Sequence, residues 1–190
     1  MIENDKETVI SYYNEHVQHK LNDYIKINPR IEEAWATLTK FCPRNPRHIL
    51  EVGCGIGGVT YRMSNRWSNC RVTGIDISTL SIQVAQKLFA KRNTHFVSGI
   101  LTPGMFDEKF DFIVLMDVYE HISQQDRPQV HLALKELLKN KGRIFLSVPT
   151  PHNLKWSAKH KPATMQPVDE LISLNTIAQI AEDTNSEVIL

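Results

Sequence analysis

Apolar side chains recur at every fourth position near the N-terminus, at Val9, Tyr13, Val17 and Leu21, so the pattern predicts a helix with one apolar stripe. A second helix is predicted from Asn28, whose side chain can cap it. Pro29 suits its first position, and Ile31, Trp35 and Leu38 share a face. The stretch CPRNPRH then breaks the pattern, because its prolines cannot sit in a helix interior.

From His48 the rhythm changes to short apolar runs alternating with amphipathic stretches. HILEV precedes a glycine cluster, and GVTYRMSNRW reads as a helix. RVTGIDI is a second strand, followed by STLSIQVAQKLFAKR, where Ile82, Ala85, Leu88 and Phe89 form a helical face. THFVSGI and the strongly apolar FDFIVLMDV are the third and fourth strands. RPQVHLALKELLKNKG then reads as a helix with proline near its start and glycine past its end. RIFLSV is a fifth strand, TPHNLKWSAKHKPATMQPVDE a long connection, SLNTIAQIAEDTN a last helix, and SEVIL the start of a possible sixth strand. Apolar strands alternating with helices imply a doubly wound, mostly parallel α/β sheet covered on both faces. Ligands bind such sheets beyond the carboxyl ends of the strands, so the chemistry should lie just after each strand.

Composition narrows the class. Hydrophobic residues make up 42% and charged residues 23%, an ordinary globular balance, and a net charge of +1 gives no general reason to expect nucleic acid or an anionic membrane. No apolar run approaches the roughly 18 residues of a membrane span. The start, MIENDKETVI, lacks the layout of a signal peptide. Cys42, Cys54 and Cys70 lack motif spacing for a disulfide framework or zinc knuckle, and a cytoplasmic location is expected.

Glycines between a strand and a helix let the backbone turn tightly and approach a ligand closely. Gly53, Gly55 and Gly58 fit G-x-G-x-x-G, and Asp76 ends the second strand, where a carboxylate can accept from ribose hydroxyls. A tight turn without a ligand, and an acid favoured by the next helix dipole, would give the same residues. Glu51 adds an acid beside the turn, unfavourable next to a pyrophosphate but suited to a ligand carrying a sulfonium and an amino group.

At this point ILEVGCGIGG, GIDIS and DFIVLMDVYEHI resemble three motifs of the class I S-adenosylmethionine-dependent methyltransferases, over about residues 45 to 183. The resemblance implies a Rossmann-like fold and S-adenosylmethionine as cofactor, with S-adenosylhomocysteine as product. It implies that Gly53, Cys54, Gly55 and Gly57 cradle the methionine end, with Glu51 orienting the turn, that Asp76 holds the ribose, and that Ile77 covers the adenine. Where the family often has an acid after the third strand this chain has Ile100, so a backbone contact from Gly99 or Ile100 must serve the adenine amino group. Asp117 would face the cofactor.

Beyond the fourth strand, DVYEHI gathers Asp117, Glu120 and His121. Transfer to a hydroxyl needs a base, and His121, with an ordinary pKa of roughly 6.5, is the natural one. A structural histidine bonded to a loop carbonyl is the alternative. The same three residues with His152 or His160 resemble the metal set of small-RNA 2′-O-methyltransferases, but Asp117 stands where that family has glutamate, so no metal is expected. Trp156, His152, His160 and nearby lysines are candidates for a substrate pocket, and Tyr12 and Tyr13 for a lid.

The expectation is therefore an N-terminal helical lid over residues 1–44 and a cofactor-binding core over 45–190. The activity expected is methyl transfer to a small-molecule hydroxyl, without nucleic acid or membrane as partner. A metal-dependent RNA methyltransferase, a nicotinamide dehydrogenase and a non-catalytic, partner-dependent module are the alternatives. The family normally closes its sheet with two further strands. SEVIL therefore suggests truncation, with a missing C-terminal segment or a partner chain covering the sheet edge.

Overall fold

The computed structural model describes residues 6–26 and 28–189. Residues 1–5, Ile27 and Leu190 lie outside the described residues, and with them the start of the expected lid segment and the last residue of SEVIL. Strands β1 (His48–Val52), β2 (Arg71–Asp76), β3 (Thr94–Ser98), β4 (Phe110–Met116) and β5 (Leu138–Ser147) form one 5-stranded sheet in the order β3-β2-β1-β4-β5. Every pairing is parallel. Around it lie α1 (Lys6–Glu15), α2 (Val17–Ile25), α3 (Pro29–Phe41), α4 (Gly58–Arg66), α5 (Thr79–Phe89), α6 (Arg127–Leu137), α7 (Pro151–His160) and α8 (Leu174–Asp183).

The strand runs are apolar at successive positions because alternate side chains enter cores on opposite faces. Leu50, Val52, Ile113 and Leu115 pack with Val130, Leu134 and Leu137 of α6 and Ile180 of α8. Ile49, Phe112, Val114 and Met116 pack on the other face, with Leu38 of α3 and Met63 of α4. Each such side chain contributes about 1.5–3 kcal/mol of burial. The strand order reverses between β1 and β4, so the turns after these neighbours lie side by side at the switch point.

Several boundaries differ from the sequence reading. The stripe Val9–Leu21 is divided into α1 and α2 at His16, whose ring Nδ1 bonds Tyr12 O at 2.7 Å and competes with the backbone for that carbonyl. The α6 helix stops at Leu137, short of the expected Gly142, because Leu138 turns extended and pairs with Phe110. Lys141, at φ 63, then carries the chain through an irregular register into the strand proper. The long connection contains α7, which Thr150 caps by accepting from Asn153 N, with Pro151 in its first turn. Residues 186–189 form no strand, so β5 has β4 as its one sheet neighbour among the described residues.

Candidate active site

The turn after β1 is tied to β2 by backbone bonds, with Gly53 N and Cys54 N both donating to Ile75 O, at 2.8 and 3.0 Å. Gly53 sits at φ 70, and a Cβ there would collide with the Val118 side chain. Gly55, at φ 53, faces the other way: a Cβ would meet only the flexible Lys20 side chain, with Nζ at 3.3 Å. Asp76 braces the turn. Its Oδ2 accepts from Gly55 N at 2.7 Å and its Oδ1 from Ser78 N at 2.8 Å, while the residue is buried. Ser78 also caps α5 and donates to Asn14 Oδ1 of α1, at 2.8 Å, linking turn and N-terminal helices.

Glu51 shares the Ile49 face of β1 and accepts a short hydrogen bond from Thr60 Oγ1 of α4. Burial pushes its carboxyl up to about 8, against the Thr60 bond and with help from the Asp76 charge. Glu51 thus sits behind the turn, with its carboxyl tied to α4 through Thr60.

After β4 the chain turns sharply at Asp117, φ 55. Its carboxylate is paired with the Arg30 guanidinium of α3 and accepts from Ser147 Oγ at 3.1 Å. A 3-10 turn, Tyr119–His121, follows. Tyr119 anchors it from behind: its hydroxyl lies 2.7 Å from His131 Nε2, and His131 Nδ1 lies 2.6 Å from Asp183 Oδ2. Glu120 is buried with Oε2 unpartnered, and burial outweighs the nearby His121 in pushing its carboxyl up to about 7. His121 Nδ1 lies 2.8 Å from Val168 O and 3.1 Å from Asp169 Oδ1, and Nε2 lies 3.9 Å from Glu120 Oε1. Burial alone would lower the His121 pKa. The Asp169 hydrogen bond, the Glu120 charge and the Val168 carbonyl outweigh it and hold the pKa above the ordinary 6.5.

These turns open into a cavity of about 680 Å³. Glu51, Gly53, Cys54, Gly55, Asp76, Ile77, Gly99, Ile100, Asp117 and His121 all line it. Gly57 does not: it packs behind the turn, where a Cβ would strike the Phe96 ring and Ala85. Tyr12, Tyr13, His16 and Lys20 close the cavity from α1 and α2, and Gln166 from the stretch after α7. His152, Trp156 and His160 lie outside its wall. His160 stacks on Trp156 at 4.9 Å on an exposed face of α7. Among the described residues no three His, Cys, Asp or Glu side chains converge to hold a metal, and the Asp117 carboxylate turns to Arg30. Sequence reasoning missed Arg30, Asn14, Lys20, Gln166 and Asp169, whose partners come from elements far off in the chain. The one usable signal was the helical phase of Asn14 and Lys20 on the predicted lid helices.

A parallel sheet reversing at β1 and β4, with a glycine turn over a deep cavity and an acid at the end of β2, defines a nucleotide-type α/β binding domain. Residues 49–142 match the family model described as a methyltransferase domain. These residues thus form a methyltransferase domain of the class I S-adenosylmethionine-dependent kind. A ubiquinone biosynthesis O-methyltransferase from Pasteurella multocida is 33% identical over 114 residues, covering 53% of this chain and 46% of the relative. A malonyl-[acyl-carrier protein] O-methyltransferase from Acetivibrio thermocellus is 26% identical, covering 48% and 32%. The matched part thus spans less than half the length of these curated relatives. The fold resembles magnesium protoporphyrin IX methyltransferase from Synechocystis PCC 6803 with bound S-adenosylhomocysteine, with a TM-score of 0.66 at 20% identity, covering 95% of this chain and 89% of that one. It also resembles a chain of the complex between the Haloferax volcanii Trm112 methyltransferase activator and a methyltransferase, at TM-score 0.73 and 15% identity, covering 93% and 74%. Among the described residues no helix is long and apolar enough to cross a membrane.

Proposed function

We propose that this protein transfers a methyl group from S-adenosylmethionine to a hydroxyl oxygen of a small molecule, with His121 as general base. One observation carries the reading: His121 lines the cavity over the glycine turn with Nδ1 committed to a carbonyl acceptor. Nδ1 must keep its proton to make that bond, so Nε2 carries the lone pair of the neutral ring. The O-methyltransferase names of two relatives support the same choice of acceptor atom.

The residues present fit the cofactor. Gly55 opens a cradle that a side chain would fill, suited to the aminocarboxypropyl end, with Gly53 and Cys54 holding the turn beneath it and Gly57 and Glu51 bracing it from behind. Asp76 spends one lone pair per oxygen on the backbone and keeps others for ribose hydroxyls. Ile77 and Ile100 supply apolar faces for the adenine, and the backbone at Gly99 and Ile100 its polar contact. Asp117, paired with Arg30, would face the cofactor from the cavity wall. When bound, S-adenosylmethionine supplies a methyl group made electrophilic by its sulfonium. His121 Nε2 accepts the proton of the acceptor hydroxyl, and the imidazolium so formed faces Asp169 and Glu120. Tyr12, Tyr13 and Lys20 act as a lid, holding cofactor and acceptor together and limiting water, which lowers the entropic part of the barrier.

Calorimetric titration with S-adenosylhomocysteine tests the cofactor. Micromolar binding, about −8 kcal/mol, is expected, with none for NADH. An S-adenosylhomocysteine-release assay over phenolic, carboxylic and amine acceptors then tests the atom. Turnover of amines alone would overturn the hydroxyl reading.

A further inference from the structure

The stretch between α7 and α8 is irregular at residues 166–170, yet it is stitched to the turn that bears His121. Glu170 N donates to Glu120 O at 2.8 Å, and Gln124 Nε2 to Glu170 Oε2 at 3.0 Å. The Val168 carbonyl and the Asp169 carboxylate share His121 Nδ1. Asp169 is itself fixed, because its Oδ2 accepts from Gln166 N at 2.7 Å, and its side chain is only 9% exposed. Gln166 Oε1 in turn accepts from the Tyr13 hydroxyl at 2.7 Å. A chain of contacts therefore runs from α1, through Gln166 and Asp169, to the imidazole.

The two acceptors on Nδ1 do different work. The Val168 carbonyl is neutral and fixes which nitrogen keeps the proton. The carboxylate is charged, and its attraction grows when the ring becomes cationic. We propose that Asp169 is a positioning residue of the reaction, stabilising the His121 imidazolium that proton transfer creates, and that the Tyr13–Gln166 bond makes this support depend on α1 being closed over the cavity. The inference rests on the reading of His121 as base. The other groups around the cluster are Glu120, beside Nε2, and Glu170, held by Gln124. Tyr12 and Tyr13 of α1 sense the Asp169 charge, and the Asp117–Arg30 pair acts on Glu120.

The test reads His121 directly by NMR titration of the imidazole in protein saturated with S-adenosylhomocysteine, the His121→Asn protein serving to assign the signal. Asp169→Asn should lower the His121 pKa by about one unit while the Nδ1–H tautomer persists on Val168. Asp169→Glu should recover most of the shift. Tyr13→Phe should move it in the same direction by less, at an unchanged unfolding midpoint. Superimposable titrations of wild type and Asp169→Asn, or a changed tautomer without a changed pKa, would overturn the proposal. If Asp169→Asn does not fold, Tyr13→Phe and Gln166→Ala decide it, and no downward shift in either rejects it. If the shifts appear but His121→Asn turns over an acceptor at the wild-type rate, the base assignment fails and the positioning of the ring by Asp169 stands.

Discussion

The turn after β1 and the turn after β4 lie side by side at one end of the sheet, but they are held in opposite ways. Around the first, the polar partners are mostly backbone: Ile75 O takes Gly53 N and Cys54 N, and Asp76 takes Gly55 N and Ser78 N. All these residues fall between β1 and the start of α5. Around the second, the partners are mostly side chains brought from afar: Arg30 from α3, His131 and Asp183 from α6 and α8, and Asp169 from irregular chain, where the neighbouring Gln166 accepts from Tyr13 of α1. The first is a socket fixed by local chain geometry. The second is an assembly with titratable members and a buried unpartnered oxygen on Glu120. A site that must bind one constant cofactor and one particular acceptor divides naturally in this way, since only the second surface has to be adjustable.

That contrast breaks most sharply at His121. Replacing it with Asn leaves a smaller polar side chain and no base, and turnover should fall by about 10²–10⁴-fold. Binding of S-adenosylhomocysteine, measured by calorimetry, should stay within about twofold, as the socket is untouched. The pH profile of the wild type should show an acid limb above 6.5, because the folded protein holds the imidazole pKa up and only the neutral ring accepts a proton. Equal losses of turnover and cofactor affinity would mean that the two surfaces are not separable.

Gly53→Ala attacks the socket instead. The substitution forces an alanine to φ 70 and drives its methyl into Val118. Strain of about 1–2 kcal/mol and overpacking of about 1–3 kcal/mol add to a loss of roughly 2–5 kcal/mol in urea unfolding. S-Adenosylhomocysteine binding should weaken with it. Gly55→Ala, with only the flexible end of Lys20 in the way, should cost stability less and affect binding more.

The difference between the two turns also explains what could be read from the chain. Gly53 and Asp76 were legible because strand and turn follow one another, and each imposes a residue type where the backbone needs it. His121 was legible as a titratable group after an apolar strand, but its orientation was not, since that depends on Val168 and Asp169, which lie beyond α6, β5 and α7 in the chain. Arg30 gave no signal: it sits at the start of α3, where an exposed arginine is ordinary, and its partner Asp117 lies 87 residues away. The burial of Glu51 was not legible for a related reason. Its partner Thr60 comes from α4, and a strand pattern shows only that the position points to a face.

Glu51 therefore yields a sharper test of the socket. The folded protein raises its carboxyl from 4.5 to about 8, so the folded state binds the proton more tightly than the unfolded chain. Stability from this group is complete below about 4.5 and is lost as pH rises toward 8. Urea unfolding across that window should show a decline in stability from this residue. Glu51→Gln, which keeps an acceptor for Thr60 without a charge, should flatten it. An unchanged slope would place the proton on another group, Glu120 being the first candidate, since burial drives it up to about 7.

The smallest effect is expected at the Arg30–Asp117 pair, which joins α3 to the turn after β4. Arg30 is 55% exposed and Asp117 17%, so solvent screens the attraction, and Arg30→Gln should cost no more than about 1 kcal/mol in urea unfolding. The turn itself should survive, because Asp117 N donates to Ser147 O at 2.8 Å and its carboxylate still accepts from Ser147 Oγ. The loss should shrink further in about 1 M salt, where the screening length falls to about 3 Å. A loss well above that, insensitive to salt, would show that Arg30 acts through packing against the turn. The second surface would then be fixed by shape as firmly as the first, and the contrast between socket and assembly would no longer hold.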